Sequence, residues 1–255
     1  MQLNEYIAER LAHRRPLLMT HVVCGYPSFE DNWRELEIMA ERGVAFVELQ
    51  FPFSEPSADG PLFVKANQES LARGTTVVQC LEFMARVTAT FPFRVLMMGY
   101  YNTAFKMGHA TFVNRLAQAG ACGYILPDLP LEEAGPLHML ADAKGLAPIV
   151  LMTPTSTDAR LAQLGGVARG FVYCVARRGV TGASTQMNDE VSTFLSRCRA
   201  ATSLPLAVGF GVSTAEDLRF IGDNAEIAII GTAALRAWEQ GGESALRGFF
   251  DGIGV

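Results

Sequence analysis

The sequence predicts one α/β domain over residues 1–255, a single (β/α)8 barrel of the TIM type with an extra N-terminal helix. Three features lead there: the length, an alternation of short apolar runs with amphipathic segments, and a chain free of linkers or low-complexity tracts. A length of 255 residues is near the usual size for one eight-fold barrel, although length alone also allows two small domains. Hydrophobic residues make up 49% and charged residues 18%, which favours a large core over disorder.

Eight apolar, β-rich runs are read as strands: 17–23, 45–49, 94–98, 123–126, 147–151, 170–175, 206–208 and 227–230. Each is almost unbroken, as expected of a parallel strand covered on both faces. Between them, 31–42 sets Trp33, Leu36, Ile38 and Met39 among charges, and 111–119 carries Phe112, Val113 and Leu116 on one side. Thr157 before 158–164 and Ser213 before 214–221 have the side chains expected of helix N-caps. Strand–helix alternation argues for a parallel sheet, and eight unbroken units favour closure into a barrel. On pattern alone, a doubly wound open sheet is the alternative.

Charge and cysteine content narrow the function. Twenty-six acids against 21 bases give a net charge of −5, which argues against a nucleic-acid groove but not against a small anionic substrate. Cys24, Cys80, Cys122, Cys174 and Cys198 are dispersed, without metal spacing, and read as reduced core thiols. His13, His21, His109 and His138 are isolated, so no metal site is expected. With no apolar run long enough to span a membrane and an acidic, polar start, a soluble cytoplasmic protein is predicted.

In such barrels the reactive groups sit where strands end and lead into helices. Glu48 interrupts an apolar strand there; turned inward, burial would raise its pKa and suit it to proton transfer. A structural ion pair or a solvent-facing carboxylate is the plainer reading of the same residue. Asp59, beside Gly60 and Pro61, is by itself as well explained as a turn residue. Tyr173 shares its strand face with Phe171 and Val175 and either lines a pocket or fills the core. His21, inside the first strand, either reaches the barrel mouth or is a hydrogen-bonded core histidine. Gly209-Phe210-Gly211 and Gly231-Thr232 follow the last two strands, where barrels often bind phosphate on backbone N–H groups.

Pro52-Phe53-Ser54-Glu55-Pro56-Ser57-Ala58-Asp59-Gly60-Pro61 resembles the PFSDPxADGP signature of tryptophan synthase alpha subunits. Gly25-Tyr26-Pro27, Pro127-Asp128-Leu129-Pro130, Arg177-Arg178-Gly179-Val180-Thr181-Gly182 and Gly209-Phe210-Gly211 follow in the family's order, across roughly residues 15–235. The resemblance implies retro-aldol cleavage of indole-3-glycerol phosphate to indole and glyceraldehyde 3-phosphate, a step of tryptophan biosynthesis. It implies Glu48 as acid–base group, Asp59 as partner of the indole N–H, Tyr173 near the reacting centre and Thr181 as a lid residue orienting Asp59. Gly182, Gly211, Gly231 and Thr232 fall at phosphate-binding positions, and His21, Met98, Ile125 and Phe210 at the indole pocket.

The resemblance further implies no metal or organic cofactor in this chain. It implies a beta-subunit partner that carries pyridoxal phosphate, in an α2β2 heterotetramer. Other readings are a free-standing lyase, a weakly active subunit that mainly activates a beta subunit, and another phosphate-binding barrel enzyme. The chain departs from the family pattern at His21 (commonly phenylalanine), Gln50 (glycine, directly after the glutamate strand), Glu55 (aspartate), Met98, Pro127 and Thr232 (serine). These departures bear on substrate fit and turnover, while Glu48, Asp59, Tyr173 and Thr181 all match.

Overall fold

The extra helix precedes the first strand, as the sequence predicts. In the computed structural model, which describes residues 3–175, 189–209 and 211–255, α1 (Leu3–Leu11) plugs the lower end of the barrel. Its Tyr6 hydroxyl donates to the Ala45 carbonyl at 3.0 Å, and its ring meets Phe46 edge-on at 5.6 Å. Phe46 in turn packs on Phe171 from the far side of the barrel, at 5.5 Å.

The chain then runs β1 (Leu17–Val23), α2 (Phe29–Glu41), β2 (Phe46–Gln50), α3 (Pro61–Ala72), α4 (Val77–Thr90), β3 (Arg94–Met98), α5 (Tyr101–Met107), α6 (His109–Gln118) and β4 (Gly123–Ile125). It continues through α7 (Leu131–Asp142), β5 (Ala147–Ile149), β6 (Leu151–Met152), α8 (Asp158–Val167), β7 (Val172–Val175) and α9 (Asp189–Ala201). β8 (Leu206–Gly209), α10 (Ala215–Asn224), β9 (Ile227–Ile230) and α11 (Thr232–Gly252) complete it.

All strand pairs are parallel, in the order β5-β4-β3-β2-β1-β9-β8-β7-β6. The two ends of this sheet are consecutive pieces of one barrel strand. β5 pairs with β4 and β6 with β7, and the Val150 carbonyl between them accepts from Tyr173 N at 3.0 Å. The barrel therefore closes, and the doubly wound alternative falls.

Successive side chains on a strand point to opposite faces, so every second residue enters the barrel. Leu17, Met19, Phe46, Leu96, Ile149 and Ile227 fill its interior with the α1 plug, while Leu18, Val47, Met97 and Ile230 face the helical layer. Caps set the helix starts: Ser28 and Thr157 accept from the backbone N–H of the third residue of α2 and of α8. For α10 the cap is Thr214, not Ser213 as the sequence suggested, because Asp217 closes a capping box with Thr214 and also takes the Ser213 N–H and hydroxyl. The predicted 147–151 strand is split. The predicted 170–175 strand begins at Val172, because Gly170 turns at φ +71°. Cys24, Cys80, Cys174 and Cys198 are buried and all five thiols are free.

Candidate active site

Alternation and register assemble the site before any chemistry is considered. His21, Glu48, Gln50, Met98, Ile125 and Tyr173 share the inward parity of their strands. His21 stands level with Glu48 across the β1–β2 ladder. Gln50, Met98 and Ile125 stand level across β2, β3 and β4. Gln50 is thus not the residue after the glutamate strand, as read from the sequence, but its last member, paired with Val23 and Met98. A polar side chain can end this strand fully buried because both ends of its amide are hydrogen-bonded.

Glu48 is 1% exposed. Among the described residues its Oε1 has no hydrogen-bond partner, and its Oε2 lies 3.8 Å from His21 Nδ1. Burial, and then the charge of Asp59, push its carboxyl up to about 8. Burial lowers His21 to about 4 against the opposing effect of its hydrogen bond to the Gln50 amide oxygen. Both shifts favour the neutral forms, protonated Glu48 and uncharged His21, and so disfavour an ion pair across the 3.8 Å between them. The structural ion pair weighed for Glu48 is set aside, as is the solvent-facing carboxylate.

Asp59 is buried in the loop between β2 and α3, its N–H donating to the Pro56 carbonyl at 3.0 Å. Two donors meet at its Oδ2: Gln50 Nε2 at 2.7 Å and the Tyr100 hydroxyl at 3.0 Å. Its pKa is raised, burial outweighing the lowering by these two bonds, while two donors converging on one oxygen favour the ionised form over the neutral one. The loop around it is pinned. Asn67 Oδ1 accepts the Phe53 N–H at 2.9 Å, Phe53 stacks on Tyr100 at 5.0 Å, and Tyr100 takes the Ala58 N–H at 3.0 Å. Asp59 is more than a turn residue.

Tyr173 is packed against the barrel interior. Its hydroxyl is pushed well up by burial and then by the charges of Glu48 and Asp59, so it shares their electrostatic space. Its ring crosses β8 so closely that a Cβ at Gly209 would sit 3.0 Å from it, which explains a glycine ending that strand. Gly231 caps α11 and Thr232 is that helix's first residue. A Cβ on Gly231 would meet the Phe63 ring at 3.4 Å and His21 Cβ at 3.7 Å, so the α11 N-terminus adjoins the same cavity wall. Gly211 turns at φ +74° just after β8. Thr181, Gly182 and Phe210 lie outside the described residues.

Sequence reasoning missed Tyr100 and the structural role of Gln50. Tyr100 follows β3 at the reactive end of the barrel, a position that could have flagged it. Gln50 carried a signal too, an amide closing an apolar run. A separate hollow of about 350 Å³ beside β4, lined by Tyr124, Pro127, His138 and Arg160 among others, contains neither carboxyl and is not this site. Among the described residues no group of three or more His, Cys, Asp or Glu is arranged to hold a metal ion.

A protonated buried carboxyl beside an ionised one can deliver a proton to a weakly basic atom and stabilise the cation that results. Fold and site together define a (β/α)8 barrel with two buried carboxyls at the end where its strands lead into helices. The profile described as tryptophan synthase alpha chain matches residues 7–248, and the chain belongs to that family. The tryptophan synthase alpha chain of Syntrophotalea carbinolica is 44% identical over 97% of this chain and 98% of its own. That of Desulfotalea psychrophila is 45% identical over 98% of each. A structure of Mycobacterium tuberculosis tryptophan synthase superposes with a TM-score of 0.91 at 29% identity, covering 98% of this chain and 96% of that one.

Proposed function

We propose that this chain cleaves indole-3-glycerol phosphate into indole and glyceraldehyde 3-phosphate, as the carbon–carbon lyase of tryptophan biosynthesis. The single observation that carries this reading is the buried Glu48 carboxyl, its Oε1 without a partner among the described residues and its pKa raised by burial and by Asp59, whose own Oδ2 collects two donors. Glu48 gives its proton to the indole carbon that bears the side chain, and the ring nitrogen becomes positive. Asp59 accepts the indole N–H and balances that charge. Glu48, now ionised, takes the proton of the side-chain hydroxyl; the carbonyl forms, the carbon–carbon bond breaks, and its electron pair returns to the ring as neutral indole. Protons balance, and no metal or organic cofactor is required of this chain.

Met98 and Ile125, buried beside Gln50, supply apolar walls for the indole, with His21 and Tyr173 on the flanks. Gly211, Gly231 and Thr232 present small residues and the α11 N-terminus to the phosphate. The resemblance adds Thr181, Gly182 and Phe210. The partner in this reading is a pyridoxal-phosphate beta subunit that receives the indole, in an α2β2 assembly. Five free thiols suit a reducing compartment, the cytoplasm, and among the described residues no helix is long and apolar enough to cross a membrane. Indole formation from indole-3-glycerol phosphate, measured with and without a beta subunit, tests the proposal; no indole under either condition overturns it.

A further inference from the structure

One chain of polar contacts joins the two carboxyls through side chains to which the reaction above gives no proton-transfer step. Asp59 Oδ2 accepts from Gln50 Nε2 at 2.7 Å, and Gln50 Oε1 lies 2.9 Å from His21 Nε2. The opposite ring nitrogen of His21, Nδ1, lies 3.8 Å from Glu48 Oε2. An ionised Asp59, already accepting from Tyr100, can only accept, so the NH2 group of Gln50 must face it. The amide oxygen must then face His21, and Nε2 must carry the imidazole proton. Neutral His21 is left with an unprotonated Nδ1 toward Glu48. The ring lies against Phe63 with centroids 4.3 Å apart and planes 20° apart, so tilting it out of that plane would break the stack.

We propose that Gln50 and His21 are positioning residues that fix the His21 tautomer from Asp59 and present a lone pair to Glu48, keeping the proton on Glu48 until substrate takes it. A lone pair facing a carboxyl opposes its ionisation, whereas an N–H in that place would promote it. The anion that will bind the indole N–H thereby also keeps its companion in the acid form. This link rests on the lyase reading for its use in catalysis, but its geometry can be tested without it. Among the described residues, the titratable groups facing the two carboxyls are His21 from β1, Tyr100 beyond β3 and Tyr173 from β7, with Glu48 and Asp59 facing each other.

The experiment uses the full chain in four forms: wild type, Gln50→Met, His21→Phe and the double variant. Nitrogen NMR of 15N-labelled histidine reads the tautomer directly, and the chain has only four histidines, so loss of one signal in His21→Phe assigns the resonance. The expected result is Nε2–H with unprotonated Nδ1 in wild type at pH 6–8, giving way to Nδ1–H in Gln50→Met. Asp59→Asn, nearly isosteric, should loosen the same tautomer and serves if Gln50→Met does not fold.

The pH profile of kcat/KM for indole-3-glycerol phosphate provides the second readout. In Gln50→Met the alkaline limb should move about one unit toward acid, because His21 can now offer Glu48 an N–H. That shift should vanish when Gln50→Met is combined with His21→Phe, while any acid-limb change from Asp59 persists with or without His21→Phe. Nδ1–H in the wild type, or an equal alkaline shift in both backgrounds, overturns the link. A responsive tautomer in a chain that cleaves no substrate upholds the link and refutes the lyase reading. Cleavage with a tautomer indifferent to both Gln50→Met and Asp59→Asn does the reverse.

Discussion

Glu48 is where folding and chemistry pull in opposite directions. Its folded-state carboxyl is raised to about 8 from an ordinary 4.5. The native chain therefore keeps a proton that the unfolded chain releases, and stability falls as pH rises between those two values, then levels. His21, lowered to about 4, acts on the acid side: its stability is present above the ordinary 6.5 and lost as pH falls through 4. Glu48→Gln should cut indole formation by about 10²–10⁴-fold, the usual cost of losing a positioned acid–base group. It should also raise the melting temperature relative to wild type by an amount that grows from pH 5 to pH 8.5. Thermal melts across that range are the check, and a pH-independent difference would mean that Glu48 titrates normally. Asp59→Asn should impair cleavage for another reason, since an amide can still accept the indole N–H but cannot balance the developing cation. Full turnover in that variant, measured by indole release, would return Asp59 to a plain turn residue.

At the scale of elements, the strands were legible because parallel strands buried on both faces become continuous apolar runs. That same rule hid Gln50, whose amide is tolerated inside the barrel only through His21 and Asp59, two partners distant in sequence. The carboxyl site was legible as residue types, but the His21–Gln50–Asp59 connection depends on strand register, which single residues do not encode. The inserted α3 and α5 also escaped notice. Pro61 marks the start of α3 as an N1 proline, yet it follows a loop whose signature read as a turn. α11 is the element whose start carries function in the proposed reaction. Gly211 is a poor place to probe the phosphate site, because a side chain at φ +74° adds strain to any charge effect. Thr232→Val is cleaner, removing one hydroxyl from the first position of α11. It should weaken glycerol 3-phosphate binding about tenfold, the value of one hydrogen bond to a charged group, and leave indole binding unchanged. Calorimetric titration of both ligands reads this, and unaltered glycerol 3-phosphate affinity would remove Thr232 from the site.

For the whole molecule, the loop between β2 and α3 is where a partner could reach the chemistry. Glu55 is exposed on it and Asp59 is buried four residues later, so one short segment has an outer and an inner carboxylate. The intervening backbone is tight: Ser57 N donates to the Glu55 carbonyl at 2.8 Å, and Asp59 N to the Pro56 carbonyl at 3.0 Å. Tyr100 holds both the Ala58 N–H and the Asp59 carboxylate, a route by which movement at the loop tip would reach the group proposed to receive the indole N–H. A basic residue on a beta subunit pairing with Glu55 would then bias the position of Asp59, a coupling between two distinct sites. Glutamate in place of the family's usual aspartate keeps the charge and extends its reach by about one carbon–carbon bond, roughly 1.5 Å. We expect a beta subunit to bind and activate this chain, and Glu55→Ala to reduce that activation more than it reduces basal cleavage. Titrating the beta subunit into wild type and variant while following indole-3-glycerol phosphate cleavage separates the outcomes. Equal activation of both proteins would take Glu55 out of the coupling route. Activation of neither would mean that the chain works as a free-standing lyase, with Asp59 positioned by its own chain, through Gln50 and Tyr100 among the described residues.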